Sequence, residues 1–182
     1  SGAKPRQPGH IMEPGHTYVC KSTVDLNLPP GMYAYMNARS TIGRSFLHSF
    51  TIMDGSTIFD GVDKRQQGYT GEVWLVLKPL CFRTRLSIDV CYSQMRLFNR
   101  DTRFGEQCLR RALETDDLLY RRDGAAYNQA DLSLFSHDGS VLATLYAKEG
   151  ELIGYKAKKG LSEYLDLDAP KGSLDPAVFF DP

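Results

Sequence analysis

The chain has 182 residues, 22 Lys+Arg against 22 Asp+Glu, and 42% hydrophobic residues. With no net charge it has no long-range field to gather a polyanion, which argues against non-specific nucleic-acid binding. No run approaches the ~18 uninterrupted apolar residues of a spanning helix, nothing near Ser1 resembles a leader, and roughly 70% of the unfolded surface is hidden at this size, so one soluble domain with its own core is expected.

In chain order, residues 1–15 carry Gly and Pro with little apolar content and read as a flexible N-terminal arm. The opening Ser-Gly-Ala, without methionine, reads as a fragment boundary or an expression scar, and a longer natural protein is expected. From residue 16 the hydrophobic period is mostly two. His16 to Ser22 alternates, Met32 to Met36 is extended, and Phe46, His48, Phe50 and Ile52 share one face against Leu47, Ser49 and Thr51. His48 on that face is expected to be a hydrogen-bonded core residue. Val73 to Leu77 reads as a strand buried on both faces, and Leu86, Ile88 and Val90 as a further alternating strand.

Glu106 to Leu119 places Leu109, Ala112 and Leu113 at helical spacing and is the one substantial helix, a helical insertion near 106–119. The arginines around it are interleaved with carboxylates and read as a solvated face. Strand signals resume at Leu132 and Leu134, turn at Asp138-Gly139, return through Val141 to Ala147, and continue at Leu152 to Ala157 and Tyr164 to Leu167. Many short strands with frequent turns predict a mainly-β barrel or sandwich, a single domain over 16–182. Cys20, Cys81, Cys91 and Cys108 show neither a C-x-x-C pair nor zinc spacing, and are expected to be reduced, buried and cytoplasmic, with no protein metal site.

Three clusters carry possible chemistry. Asn37-Ala38-Arg39-Ser40-Thr41-Ile42-Gly43-Arg44 sets two hydroxyls between two arginines. Ser40 is a natural N-cap for a turn ending near Leu47, an arrangement suited to an anion or simply to a capped turn with exposed arginines. Gly68-Tyr69-Thr70-Gly71-Glu72 reads as a tight turn before a strand. Gln94, within Tyr92-Ser93-Gln94-Met95-Arg96-Leu97-Phe98, is a satisfied amide or a ligand contact.

In that order, NARSTIGR, GYTGEVWLVL and YSQMRLF resemble the second, third and fourth motifs of the dUTPase and dCTP deaminase superfamily. The tail from Leu152 to Pro182 resembles the first half of the two-lobed bacterial dCTP deaminases. The resemblance implies a dUTPase-like fold, a trimer or dimer, a deoxynucleoside triphosphate ligand, magnesium carried by the triphosphate, and no zinc. It implies triphosphate contacts at Arg39, Ser40, Thr41, Gly71 and Gln94, and a catalytic role for Arg44. The family's general base falls five residues beyond Gly71, on Val76, and valine takes no proton. Asp60 is then the first substitute, with Asp63 and Glu72 behind it. The implied function is dCTP deamination by a protein of which this chain is a catalytically impaired half; dUTP pyrophosphatase and a non-catalytic nucleotide-sensing or oligomerisation domain are the alternatives.

Overall fold

A computed structural model describes residues 9–56, 58–100, 105–121, 123–127, 141, 149–150, 152, 154–170 and 172–181. The chain forms two compact units, one from residues 1–100 with 154–182 and one from 101–153. The strands expected at Leu132–Leu134, the turn at Asp138-Gly139 and, save for Val141, the returning run to Ala147 lie outside the described residues.

The first unit is mostly β. The elements in order are β1 (Ile11–Met12), β2 (Tyr18–Leu28), β3 (Tyr33–Ala38), α1 (Ser40–Arg44), β4 (Leu47–Ile52), β5 (Gly61–Val62), β6 (Tyr69–Pro79), β7 (Thr84–Arg85) and β8 (Ser93–Phe98), and after the second unit β9 (Lys156–Ala157), β10 (Leu165–Asp166), α3 (Pro176–Phe179) and β11 (Phe180–Asp181). They make three-stranded sheets β2-β6-β4, β5-β3-β8 and β1-β7-β10 and the ribbon β11-β9, and none of these closes into a barrel among the described residues.

Two core clusters hold the larger sheets. One gathers Leu26, Leu28, Met36, Met53 and Val73, the other Met12, Ile42, Leu47, Leu77 and Tyr92. Each fully buried side chain of this size contributes about 1.5–3 kcal/mol. Met12 is completely buried and pairs with Thr84, so the segment expected to be a flexible arm is fixed to the body from β1 onward. A third cluster joins Phe82 to Leu165 and Phe179, bringing the late part of the chain onto the early strands.

The same join is reinforced electrostatically. β10 runs parallel to β7, and Arg85 Nη2 donates to Asp166 Oδ1 at 2.6 Å and Asp168 Oδ2 at 3.0 Å. Arg85 is buried, and its Nε has no partner among the described residues.

Several sequence expectations are corrected. On β4 the alternation is as predicted but the faces are exchanged: Leu47 and Thr51 point inward while Phe46, His48, Phe50 and Ile52 are exposed. His48 is therefore not a core residue, and its ring packs edge-on against Phe50 at 5.3 Å. The cause is Phe46, which sits outside the strand with φ +55°, so that Leu47 is the residue delivered to the core beside Ile42 and Leu77.

β6 is buried on one face, not two; Trp74 and Val76 lie opposite Val73, Leu75 and Leu77 and remain partly exposed. Val76 pairs with Val19 and Phe50, and Trp74 with Ile52, so the outer face of this sheet is an apolar stripe. Leu86 to Val90 is not a strand. Its backbone is taken by side chains instead: Tyr92 Oη accepts from Ser87 N and donates to Ser87 O, and Ser87 Oγ accepts from Asp89 N, leaving Ile88 89% exposed. All four cysteines are free, but Cys91 and Cys108 are exposed and Cys20 and Cys81 only half-buried.

The second unit contains α2, Glu106–Asp116, which buries Leu109 and Leu113 and carries an Arg110 to Glu106 ion pair one turn apart. It stops three residues before the predicted Leu119 because Asp117 turns into the left-handed region.

Candidate functional site

The candidate site is built where β3, α1 and β8 meet. β3 pairs antiparallel with β8 so that Asn37 lies opposite Gln94, and Tyr35 opposite Arg96. The period of two puts Gln94 and Arg96 on one face of β8. Both reach the same atom across the ladder: Gln94 Nε2 donates to Asn37 Oδ1 at 3.3 Å and Arg96 Nη1 at 3.2 Å. Arg96 and Asn37 fall inside two of the sequence clusters, which give neither of them a role. The missed signal is their cross-strand register, which needs the turn geometry to fix it.

Immediately after β3 the chain enters α1. Arg39, not Ser40, is the N-cap, with extended backbone and no side-chain cap bond. The turn closes at Arg44 and Ser45, short of Leu47. Arg39 N is held by Tyr92 O and Arg39 O accepts from Gly43 N, leaving the N–H groups of Ser40, Thr41 and Ile42 outside the helical ladder. Ile42 is buried and pins the turn, while Arg39, Ser40, Thr41 and Arg44 are all exposed. Ser49 Oγ and Ser93 Oγ lie 2.7 Å apart, tying β4 to the start of β8 beneath this surface.

Arg65, Arg83, Arg85 and Arg110 each have a carboxylate partner. Among the described residues no ion pair neutralises Arg39, Arg44 or Arg96, a property they share with Arg100 and Arg111. Arg96 bonded to Asn37, with Arg39 and Arg44 exposed at the two ends of the adjoining α1 turn, makes a donor-rich surface of residue types that suit phosphate oxygens. Among the described residues no three His, Cys, Asp or Glu side chains gather to hold a metal ion. The donors here fit an anion and not a cation.

Gly71 stands apart from this cluster. It lies within β6, opposite Leu26 on another sheet, and not in a turn. The turn is the preceding Lys64–Gly68, where Gly68 has φ +77° and an added Cβ would meet Leu28 O at 2.6 Å. A Cβ at Gly71 would sit 2.9 Å from Tyr69 Oη, which donates to Glu72 O. The motif is accounted for by this packing.

The candidate bases are dispersed. Val76 faces outward within the apolar stripe. Asp63 is clamped by both Arg65 Nε and Nη2, at 2.7 and 2.8 Å. The Glu72 carboxyl is held below its ordinary range first by Lys21 and then by the Trp74 indole N–H, which makes it a poor proton acceptor. Asp60 is exposed, and its carbonyl accepts from Met36 N, which anchors its backbone beside β3 one residue from Asn37.

Comparisons with known proteins bear on the fold and the family. The crystal structure of 2'-deoxycytidine 5'-triphosphate deaminase from Agrobacterium tumefaciens superposes with a TM-score of 0.66 at 24% identity, over 96% of this chain and 48% of that one. The fold is therefore that of a dCTP deaminase, mostly β and dUTPase-like, and the chain spans about half the length of that structure. No curated protein matches the sequence. The family described as the 2'-deoxycytidine 5'-triphosphate deaminase (DCD) N-terminal domain matches residues 6–101, which takes in β1 through β8 and the entire donor-rich surface, and the chain belongs to it.

Proposed function

We propose that this chain binds a deoxynucleoside triphosphate at the β3–α1–β8 junction as part of a cytoplasmic dCTP deaminase system, converting dCTP and water to dUTP and ammonia. The observation that carries the reading is the Gln94 and Arg96 pair on Asn37, next to a turn that exposes Arg39 and Arg44 at its ends, in a chain of that family. Arg39, Ser40, Thr41 and Gln94 are assigned to the triphosphate, with magnesium arriving on the nucleotide. Arg44 and Asp60 are assigned to the reacting side. Gly71 is assigned only the indirect part of shaping β6.

Calorimetric titration with dCTP, dUTP, dCMP and dUMP is expected to show binding of the triphosphates well above the monophosphates. Arg39→Ala and Arg96→Ala should each weaken it by about 10- to 100-fold, the worth of one or two charge-assisted hydrogen bonds. Equal or absent binding of all four nucleotides would sink the assignment.

A homo-oligomer is proposed as well. The outer face of β2-β6-β4 exposes Val19 (56%), Phe50 (39%), Ile52 (45%) and Trp74 (36%) side by side, with Phe59 against Phe50. A contiguous apolar sheet face on a chain without net charge favours self-association. Sedimentation at tens of micromolar should give a dimer or trimer that Phe50→Glu reduces to monomer; a monomeric parent chain would refute this.

A further inference from the structure

Phe46 is a bulky residue held in the left-handed region, φ +55°, where a side chain of its kind is a genuine outlier that persists only when its surroundings over-determine it. Two hydrogen bonds fix its backbone: Phe46 N donates to Gly43 O at 3.1 Å, and Phe46 O accepts from Leu80 N at 2.9 Å. Its ring is held from a distant part of the chain, lying 5.3 Å from Phe180 and 6.1 Å from Phe82.

Phe180 is itself delivered by a built element. β11 pairs with β9 so that Phe180 lies opposite Ala157, Lys158 N donates to Phe179 O, and Asp175 caps α3 by accepting from Ala177 N. Between Arg44 and Phe46 stands only Ser45, whose N–H and Oγ both bond to Thr41 O. The left-handed residue therefore sets the angle at which α1 passes into β4, and the ring contact holds that residue in place.

We propose that the Phe46–Phe180 contact is a positioning device for α1. Residues 176–181 thereby act on the triphosphate site through Phe46 without touching a nucleotide. The inference rests on the reading of α1 as a triphosphate-binding turn. Without the Phe180 ring, Phe46 relaxes toward negative φ and α1 turns on β4, so that Arg39 and Arg44 shift relative to β8. A displacement of about 1 Å in such an array is enough for a large loss of function.

The test compares Phe180→Ala and Phe180→Leu with Phe180→Tyr, which restores the ring, and with Phe179→Ala. Phe179 is buried and packs on Phe82, so that variant damages the same cluster but leaves the Phe46–Phe180 ring contact in place. At a temperature where every variant is folded, Phe180→Ala and Phe180→Leu should raise the dCTP dissociation constant roughly tenfold or more. Phe180→Tyr should stay within about twofold of the parent, and Phe179→Ala should leave binding unchanged while lowering the melting temperature. Equal changes in binding for Phe179→Ala and Phe180→Ala, or none in either, would overturn the proposal.

Hydrogen exchange at the Gly43, Ser45 and Phe46 amides needs no nucleotide and separates the two ideas. Faster exchange in Phe180→Leu but not in Phe179→Ala supports the contact even if no protein in the series binds dCTP, an outcome that would remove only the nucleotide reading. Unchanged exchange in Phe180→Leu overturns the contact itself.

Discussion

Incubated with dCTP, the purified 182-residue chain is expected to release ammonia at no more than about 0.1 to 0.001 per second. A median enzyme turns over about ten times per second, and a positioned general base is worth about 10²–10⁴ of that. The position at which the resembled deaminases hold the base is Val76, half-buried between Val19 and Phe50 on an apolar face where a carboxylate would also be costly to ionise. Of the carboxylates that remain, Asp63 is committed to Arg65 and Glu72 to Lys21 and Trp74. Only Asp60 is tied by its backbone to the strand that carries the site. Turnover near one per second that Asp60→Asn abolishes would show that the base moved to Asp60. The same rate abolished by Asp63→Asn would show that the Arg65 clamp opens when nucleotide binds, and either result would reject the impaired-half reading.

Arg85→Met is expected to destabilise the first unit by about 1–3 kcal/mol, because it removes the buried member of a part-buried ion pair shared by two carboxylates. For a chain of this size that corresponds to a melting temperature about 2–12 °C lower. Asp166 and Asp168 share the guanidinium, and the pair is mutually braced by the Asp168 N–H donated to Asp166 Oδ1. Asp168→Asn, which keeps the shape and an acceptor, should cost clearly less than Arg85→Met. Calorimetric melting of the three proteins at neutral pH decides it. Equal melting temperatures would mean that the clamp is exposed to water and contributes no more than a surface pair.

Much of the fold was legible where the chain has length enough to show a period. The middle of β6, Val73 to Leu77, declares itself as strand although Tyr69 to Glu72 reads as a turn, and α2 is right to within three residues at its end. On β4 the period was correct and the face was not: two alternating sets compete, the aromatic one is the more hydrophobic, and a single left-handed residue before the strand hands the core to Leu47. β10 falls inside the strand signal at Tyr164 to Leu167, but two-residue strands carry no sign of their partner, and its pairing with β7 joins residues 81 apart. The site divides in the same way. Arg39, Ser40, Thr41, Arg44 and Gln94 stood out as a local cluster and a lone amide. Asn37 and Arg96 lie in the same two segments, but their link to Gln94 comes through cross-strand register, which local composition does not carry.

The parallel pairing of β10 with β7 also orders events in time. A chain made at roughly 5–20 residues per second needs about 4–16 s to add the 81 residues from Arg85 to Asp166. The whole second unit is synthesised in that interval. Until it ends, the ring of Phe82 waits for Leu165 and the Arg85 guanidinium waits for Asp166, and Asp168 and Phe179 arrive later still. The nascent first hundred residues are thus a half-covered intermediate on the ribosome, during which a holdase or a neighbouring nascent chain competes with the chain's own tail for the same apolar seat.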